Sequence, residues 1–151
     1  MAKVITSMPL RVRYHECDAQ GVVFNAHYLA YADMACMECI ETLFGSYDEL
    51  LGLGVDFVVA EANVRFRAPC HYKDQLRVDC FVDKLGTTSL ILRFDMMRGD
   101  ERVAEVTNRY VWVDPKELRP KRPPAEVRAV FEPFAPGASG EQPSGHTAAD
   151  G

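Results

Sequence analysis

Over residues 25–44 the chain keeps one side of a helical projection apolar without a break, and this limits the fold more than any other stretch. At 100° per residue, Tyr28, Leu29, Ala32, Ala35, Cys36, Cys39, Ile40 and Leu43 fall together, while Asp33, Glu38, Glu41 and Thr42 fall opposite. Gly45 is a natural stop after it, and Ser46-Tyr-Asp-Glu49 has capping-box spacing for a short second helical turn. A broad apolar helix face needs a cover, and the flanking sequence supplies one with a period of two. Leu10, Val12 and Tyr14 alternate with Arg11, Arg13 and His15; Ala60, Ala62, Val64 and Phe66 with Glu61, Asn63, Arg65 and Arg67. Leu76, Val78, Cys80 and Val82 alternate with Arg77, Asp79 and Asp83; Leu90, Leu92, Phe94 and Met96 with Arg93 and Asp95; Ala104, Val106, Tyr110 and Trp112 with Glu105, Thr107 and Arg109. Gly86 and Arg98-Gly99-Asp100 mark the turns between the last three strands, and Asp114-Pro115 ends the final one. One-sided alternation with short turns predicts an antiparallel sheet with one face on the helix, an α+β domain. One helix covers only part of five strands, so a second subunit is expected over the rest.

The chain has 151 residues, one domain by length, with 48% hydrophobic and 26% charged residues, as an ordinary globular core requires. A formal charge of −5 argues against a general nucleic-acid binder, and no run approaches the roughly 18 apolar residues of a membrane span. The five cysteines (17, 36, 39, 70 and 80) show no disulfide framework, and the first nine residues carry no export-type apolar run, so free thiols in a cytoplasmic protein are expected. Cys36-x-x-Cys39 lacks a second pair or nearby histidines and reads as two small core side chains rather than a zinc or redox site. From Glu132 onward the sequence turns rich in Pro, Gly, Ala and Ser, so residues 1–131 are expected to be the domain and 132–151 a flexible tail with His146 a bystander.

Chemistry concentrates between the first strand and the long helix, in Arg11-Val-Arg-Tyr14-His-Glu-Cys17-Asp18-Ala-Gln-Gly21-Val-Val-Phe24-Asn25-Ala-His27-Tyr28. Asp18 is a carboxylate in a loop, and Phe24 and Asn25 open a helix whose first amides are unpaired donors at the positive end of its dipole. Together they suit attack on a carbonyl whose oxygen the amides polarise. The alternative is that Asp18 only caps a turn made possible by Gly21.

Arg11-Val12 with Cys17-Asp18-x-x-Gly21-Val22-Val23, continued by Asn25-Ala-His-Tyr28, resembles the signature of the 4-hydroxybenzoyl-CoA thioesterase family, and the wider chain looks most like its Tol-Pal-linked acyl-CoA thioesterase branch. Supporting matches are Val64-Arg-Phe-Arg-Ala-Pro69, Gly86-Thr-Thr-Ser-Leu90 and Asp114-Pro115. The resemblance implies a hot-dog fold, a five-stranded antiparallel sheet wrapped around one long central helix, assembled as a homodimer or homotetramer with active sites at subunit interfaces. It further implies a thioesterase acting on a short-chain or aromatic acyl-CoA, without cofactor or metal. Asp18 would be nucleophile or general base and the Asn25 backbone amide would bind the carbonyl oxygen. Acyl-carrier-protein substrates, or acyl-CoA binding without catalysis, are the alternatives. Tyr14 matches a tyrosine of some relatives, its other reading being an inward-facing strand aromatic. The histidine that those relatives carry is replaced here by Asn25, and His27 is offset onto another helix face. Glu38 and Glu41 are the helix carboxylates that another branch would use, though they share the polar stripe. Thr87, Thr88 and Ser89 match in position the cluster that holds the coenzyme A phosphates in relatives, with Lys84, Arg93, Arg119, Lys121 and Arg122 as further charges. Phe24, Tyr28, Phe57 and Val58 are candidate acyl-pocket walls.

Overall fold

The computed structural model of the chain describes residues 2–138. Strands β1 (Thr6–Arg11), β2 (Asp56–Phe66), β3 (Gln75–Leu85), β4 (Ser89–Arg98) and β5 (Glu101–Val113) form one sheet in the order β1-β3-β4-β5-β2, all neighbours antiparallel. The 18-residue helix α1 (His27–Phe44) packs on one face of this sheet, touching β1, β2, β3 and β5. Two shorter helices, α2 (Tyr47–Gly52) and α3 (Ala125–Phe131), accompany it.

Alternation decides which side chains meet α1. Leu76, Val78, Cys80 and Val82 on β3, Leu90, Leu92, Phe94 and Met96 on β4, and Val106, Tyr110 and Trp112 on β5 are buried with Tyr28, Tyr31, Ala32, Ala35, Cys36, Cys39 and Ile40 of α1. Each fully buried side chain such as Leu92 or Phe94 contributes roughly 1.5–3 kcal/mol. The small Ala32 and Ala35 sit on the buried face of α1. Opposite faces of the same strands carry charge: Arg93 lies over the Phe81 ring at 4.5 Å and pairs with Asp83 at 2.7 Å and Asp95 at 3.2 Å. Gly45 stops α1 at φ 94°, and the Ser46 side chain accepts the Glu49 N–H at 3.0 Å to start α2.

Three boundaries differ from the sequence reading. The first strand ends at Arg11, so Tyr14 is not an inward strand aromatic; Tyr14–Glu16 is a 3-10 turn, stabilised by the Glu16 carboxylate accepting the Arg13 N–H at 2.7 Å. Helix α1 begins at His27 rather than Asn25, because Phe24 and Asn25 form the lead-in turn, their carbonyls accepting the His27 and Tyr28 N–H groups at 3.0 and 3.3 Å. Order also continues past Phe131. Glu132–Phe134 is a 3-10 turn, with Phe134 against the core and the Lys3 ammonium 4.7 Å from its ring centre. Residues 135–138 form a further turn, and the last part of the expected tail, 139–151, with His146, lies outside the described residues.

Candidate active site

The segment between β1 and α1 folds as a small hairpin. Cys17 pairs with Val23, the Asp18 N–H donates to the Val22 carbonyl at 2.9 Å, and the Gly21 N–H donates to the Asp18 carbonyl at 2.9 Å. Gly21 takes φ +80°, a left-handed conformation that costs side-chain-bearing residues about 1–2 kcal/mol. The Asp18 carboxylate accepts the Gln20 N–H through Oδ1 at 2.8 Å; among the described residues Oδ2 has no hydrogen-bond partner. Turn capping and an available carboxylate oxygen therefore coexist, and Asp18 is exposed.

Two anchors hold this hairpin against the body. Val22 pairs with His71, and the Val23 N–H donates to the Cys70 carbonyl at 2.8 Å, tying it to the connection between β2 and β3. That connection is itself braced by Asp74, which accepts the His71 N–H and an Arg98 N–H, both at 2.8 Å. Partial burial pushes the Asp74 carboxyl up, but the His71 N–H and the Arg98 guanidinium outweigh it and hold the group below the usual carboxylate range.

Past Val23 the chain runs antiparallel to the 3-10 turn, the Phe24 N–H donating to the Glu16 carbonyl at 2.9 Å, and then enters α1. Among the described residues the Asn25 and Ala26 N–H groups have no backbone acceptor, as the geometry of a helix start dictates. One hairpin thus carries an exposed carboxylate at its turn and donor amides at its end, beside the positive pole of α1. Tyr14 stands beside it, 77% exposed, its ring edge-on to Tyr72 at 5.7 Å. His27 is half-buried at the first position of α1, with its ring edge-on to Phe24 at 6.1 Å.

Other sequence candidates lie elsewhere. Thr87 and Thr88 lie in the turn between β3 and β4 and Ser89 opens β4, whereas the Asp18 hairpin packs by the opposite end of β3, so about 35 Å of strand separates them within one chain. Ser89 is buried and only Thr87 of the three is exposed. Arg93 is engaged on the outer sheet face, Lys121 donates to the Gly54 carbonyl at 2.6 Å, and Arg119 pairs with Glu117 at 3.5 Å. Tyr28 is buried and Phe57 packs edge-on to Tyr47, Tyr110 and Trp112, so both belong to the core, while Phe24 and Val58 are exposed. Glu38 and Glu41 are exposed on α1. Cys36 and Cys39 are buried, and burial pushes the Cys36 thiol up to about 12. Sequence reading passed over Glu16, a buried carboxylate that accepts the Tyr31 hydroxyl at 2.8 Å. Its partner is distant in sequence, so no local pattern marks it.

The same architecture recurs among known proteins. A family model described as the thioesterase superfamily matches residues 20–105. The acyl-CoA thioester hydrolase YbgC of Escherichia coli O6:H1 is 31% identical over 127 residues, spanning 82% of this chain and 93% of the relative. The chloroplastic acyl-acyl carrier protein thioesterase ATL3 of Arabidopsis thaliana is 30% identical over 129 residues, 83% of this chain and 66% of that protein. A solved gentisyl-coenzyme A thioesterase superposes with a TM-score of 0.72 at 26% identity, covering 83% of this chain and 98% of that one. A hairpin that offers a carboxylate and free helix-start amides thus sits in a hot-dog fold of five antiparallel strands and helices, and this chain belongs to the thioesterase superfamily as a thioester hydrolase.

Proposed function

We propose that this chain hydrolyses acyl-CoA, with a short-chain or aromatic acyl group, at the Asp18 hairpin. The observation that carries the reading is the pairing on one hairpin of an exposed carboxylate with the unpaired Asn25 N–H at the start of α1. The thioester carbonyl oxygen accepts the Asn25 N–H, which polarises it and stabilises the charge that develops on attack. Asp18 then serves in one of two ways. As nucleophile it attacks the carbonyl carbon, expels the coenzyme A thiolate and leaves a mixed anhydride that water hydrolyses. As general base it takes a proton from the water that attacks. Tyr14 adds a hydroxyl beside the hairpin. Water is the only co-reactant that this chemistry requires.

The length of β3 between Asp18 and Thr87–Ser89 supports a site completed by a second copy, whose Thr87 turn, with the half-buried Thr88, would meet the nucleotide end of the coenzyme, the buried Ser89 standing behind it. Strand β2 is the outer strand beside β5, and Val58, Val59 and Phe66 on it are exposed, which supports a homodimer or homotetramer joined there. The motif from Arg11 to Val23 supports a place in the 4-hydroxybenzoyl-CoA thioesterase family, and the wider resemblance, through 64–69, 86–90 and Asp114-Pro115, supports its Tol-Pal-linked branch. Acyl-carrier-protein thioesters are the second reading, favoured by the 30% identity to ATL3. Free-thiol release from matched short, long and aromatic acyl-CoAs, and from the same acyl groups on carrier protein, separates the two. Faster turnover of short or aromatic acyl-CoA is expected; faster turnover of the carrier-protein thioesters would overturn the coenzyme assignment.

A further inference from the structure

Glu16 takes no part in the chemistry above, yet three tethers converge on it. Its Oε1 accepts the Arg13 N–H at 2.7 Å and the Tyr31 hydroxyl at 2.8 Å, and its backbone carbonyl accepts the Phe24 N–H at 2.9 Å. Glu16 is 7% exposed and Tyr31, on the buried face of α1, is fully buried. A carboxylate withdrawn from water is costly unless it is bonded, and an apolar side chain would fill the same space without that cost. What the carboxylate adds is direction: it fixes the 3-10 turn to α1 while the backbone of the same residue fixes Phe24, one residue before Asn25. Two residues after Glu16 comes Asp18.

We propose that Glu16 is a positioning residue that sets the spacing between the Asp18 carboxylate and the Asn25 N–H; the inference rests on the reading of those two groups given above. It acts as a hydrogen-bond acceptor, through the hairpin, and not on the substrate. Asp18 and Asn25 stand on opposite sides of the backbone rung from the Phe24 N–H to the Glu16 carbonyl, and the Glu16 carboxylate ties that rung to Arg13 and to Tyr31 of α1. Releasing the two carboxylate bonds leaves the rung intact but lets it shift against α1. A misplacement of about 1 Å in a reacting pair costs on the order of 100-fold in rate.

The test measures kcat and KM for thioester hydrolysis, with the melting temperature of each variant, on the full chain. Glu16→Ala is expected to lose about 10- to 100-fold in kcat with KM within about threefold. Glu16→Gln, whose amide oxygen still accepts both bonds, is expected to recover most of the lost kcat. Tyr31→Phe keeps the packed ring and removes one donor; a fall of about 3- to 10-fold in kcat is expected, from the loss of one hydrogen bond. If Glu16→Ala does not fold, the other two variants decide. Wild-type kcat in a folded Glu16→Ala or in Tyr31→Phe overturns the proposal, as does a loss carried by KM. Glu16→Gln as inactive as Glu16→Ala overturns it too, because charge rather than the tether would then matter. Asp18→Asn, run in parallel, separates the failures: turnover retained there defeats the reading of Asp18, whereas an inactive Asp18→Asn beside a fully active Glu16→Ala defeats this inference alone.

Discussion

At the scale of single residues, Gly21 and Asp18 share one turn and constrain it differently. An added Cβ at Gly21 meets nothing within 4 Å, so the cost of a side chain there is the backbone conformation itself. Gly21→Ala is therefore expected to lower unfolding stability by about 1–2 kcal/mol, read from the urea midpoint, and to lower turnover because the turn carrying Asp18 must reshape. Unchanged stability would mean that the turn adopts another geometry. The turn that joins Asp18 to Gly21 is legible in the sequence because turn chemistry is local and the residues that build it are neighbours, whereas the start of α1 lies at His27, two residues past the Asn25 that the sequence suggests. The pairing of Glu16 with Tyr31 is not legible: fifteen residues separate them, and only the return of α1 over the hairpin brings them together. Tyr14 lies outside β1 for a related reason. Its apolar-polar alternation continues that of Leu10 and Val12, but β1's partner β3 begins at Gln75, opposite Arg11, and the ladder ends there.

At the scale of elements, period-two alternation marks β3, β4 and β5 and the helical stripe marks α1, because each pattern reports a buried face. Strand β2 departs from this, since as the outer strand beside β5 it has no buried residue, and Ala60, Ala62 and Phe66 of its apolar set are exposed. Helix α3 escaped notice, since only Val127 and Phe131 of its seven residues are buried, too few to declare a period. Phe131 nonetheless packs against Phe44 and Trp112, both ring pairs at 5.9 Å, and so ties the last helix to α1 and β5. Two elements offer clean tests. Ser46→Ala removes the side-chain acceptor at the start of α2 and is expected to cost about 1 kcal/mol in thermal unfolding. Asp74→Asn weakens the brace beneath the hairpin and is expected to cost about 1–2 kcal/mol at neutral pH. The Asp74 carboxyl titrates lower folded than unfolded, so its contribution is full above the unfolded carboxylate pKa and is lost as pH falls through the lowered folded value. The stability gap between wild type and Asp74→Asn should close over that acid window; a gap independent of pH would contradict the charged pairing.

At the scale of the whole molecule, the ends of the chain and the outer strand matter most. Deletion of 133–151 removes Phe134 from the core edge and is expected to lower the melting temperature by a few degrees, whereas deletion of 139–151, a sequence without a large apolar residue, should leave it near wild type. Equal melting temperatures for both would mean that Phe134 contributes nothing. The exposed β2 strand and the separation of Thr87 from Asp18 motivate a site shared between copies. A verified mixed dimer of an Asp18→Asn chain with a Thr87→Glu chain should regain activity over either parent; no gain would argue that each chain carries a complete site. Beneath all of this stands the assignment of thioester hydrolysis to the Asp18 hairpin, and one measurement tests it most directly: kcat of folded, purified Asp18→Asn on the best acyl-CoA substrate. A fall of about two orders of magnitude or more, with the melting temperature within a few degrees of wild type, is the predicted result; turnover near the wild-type rate would contradict it.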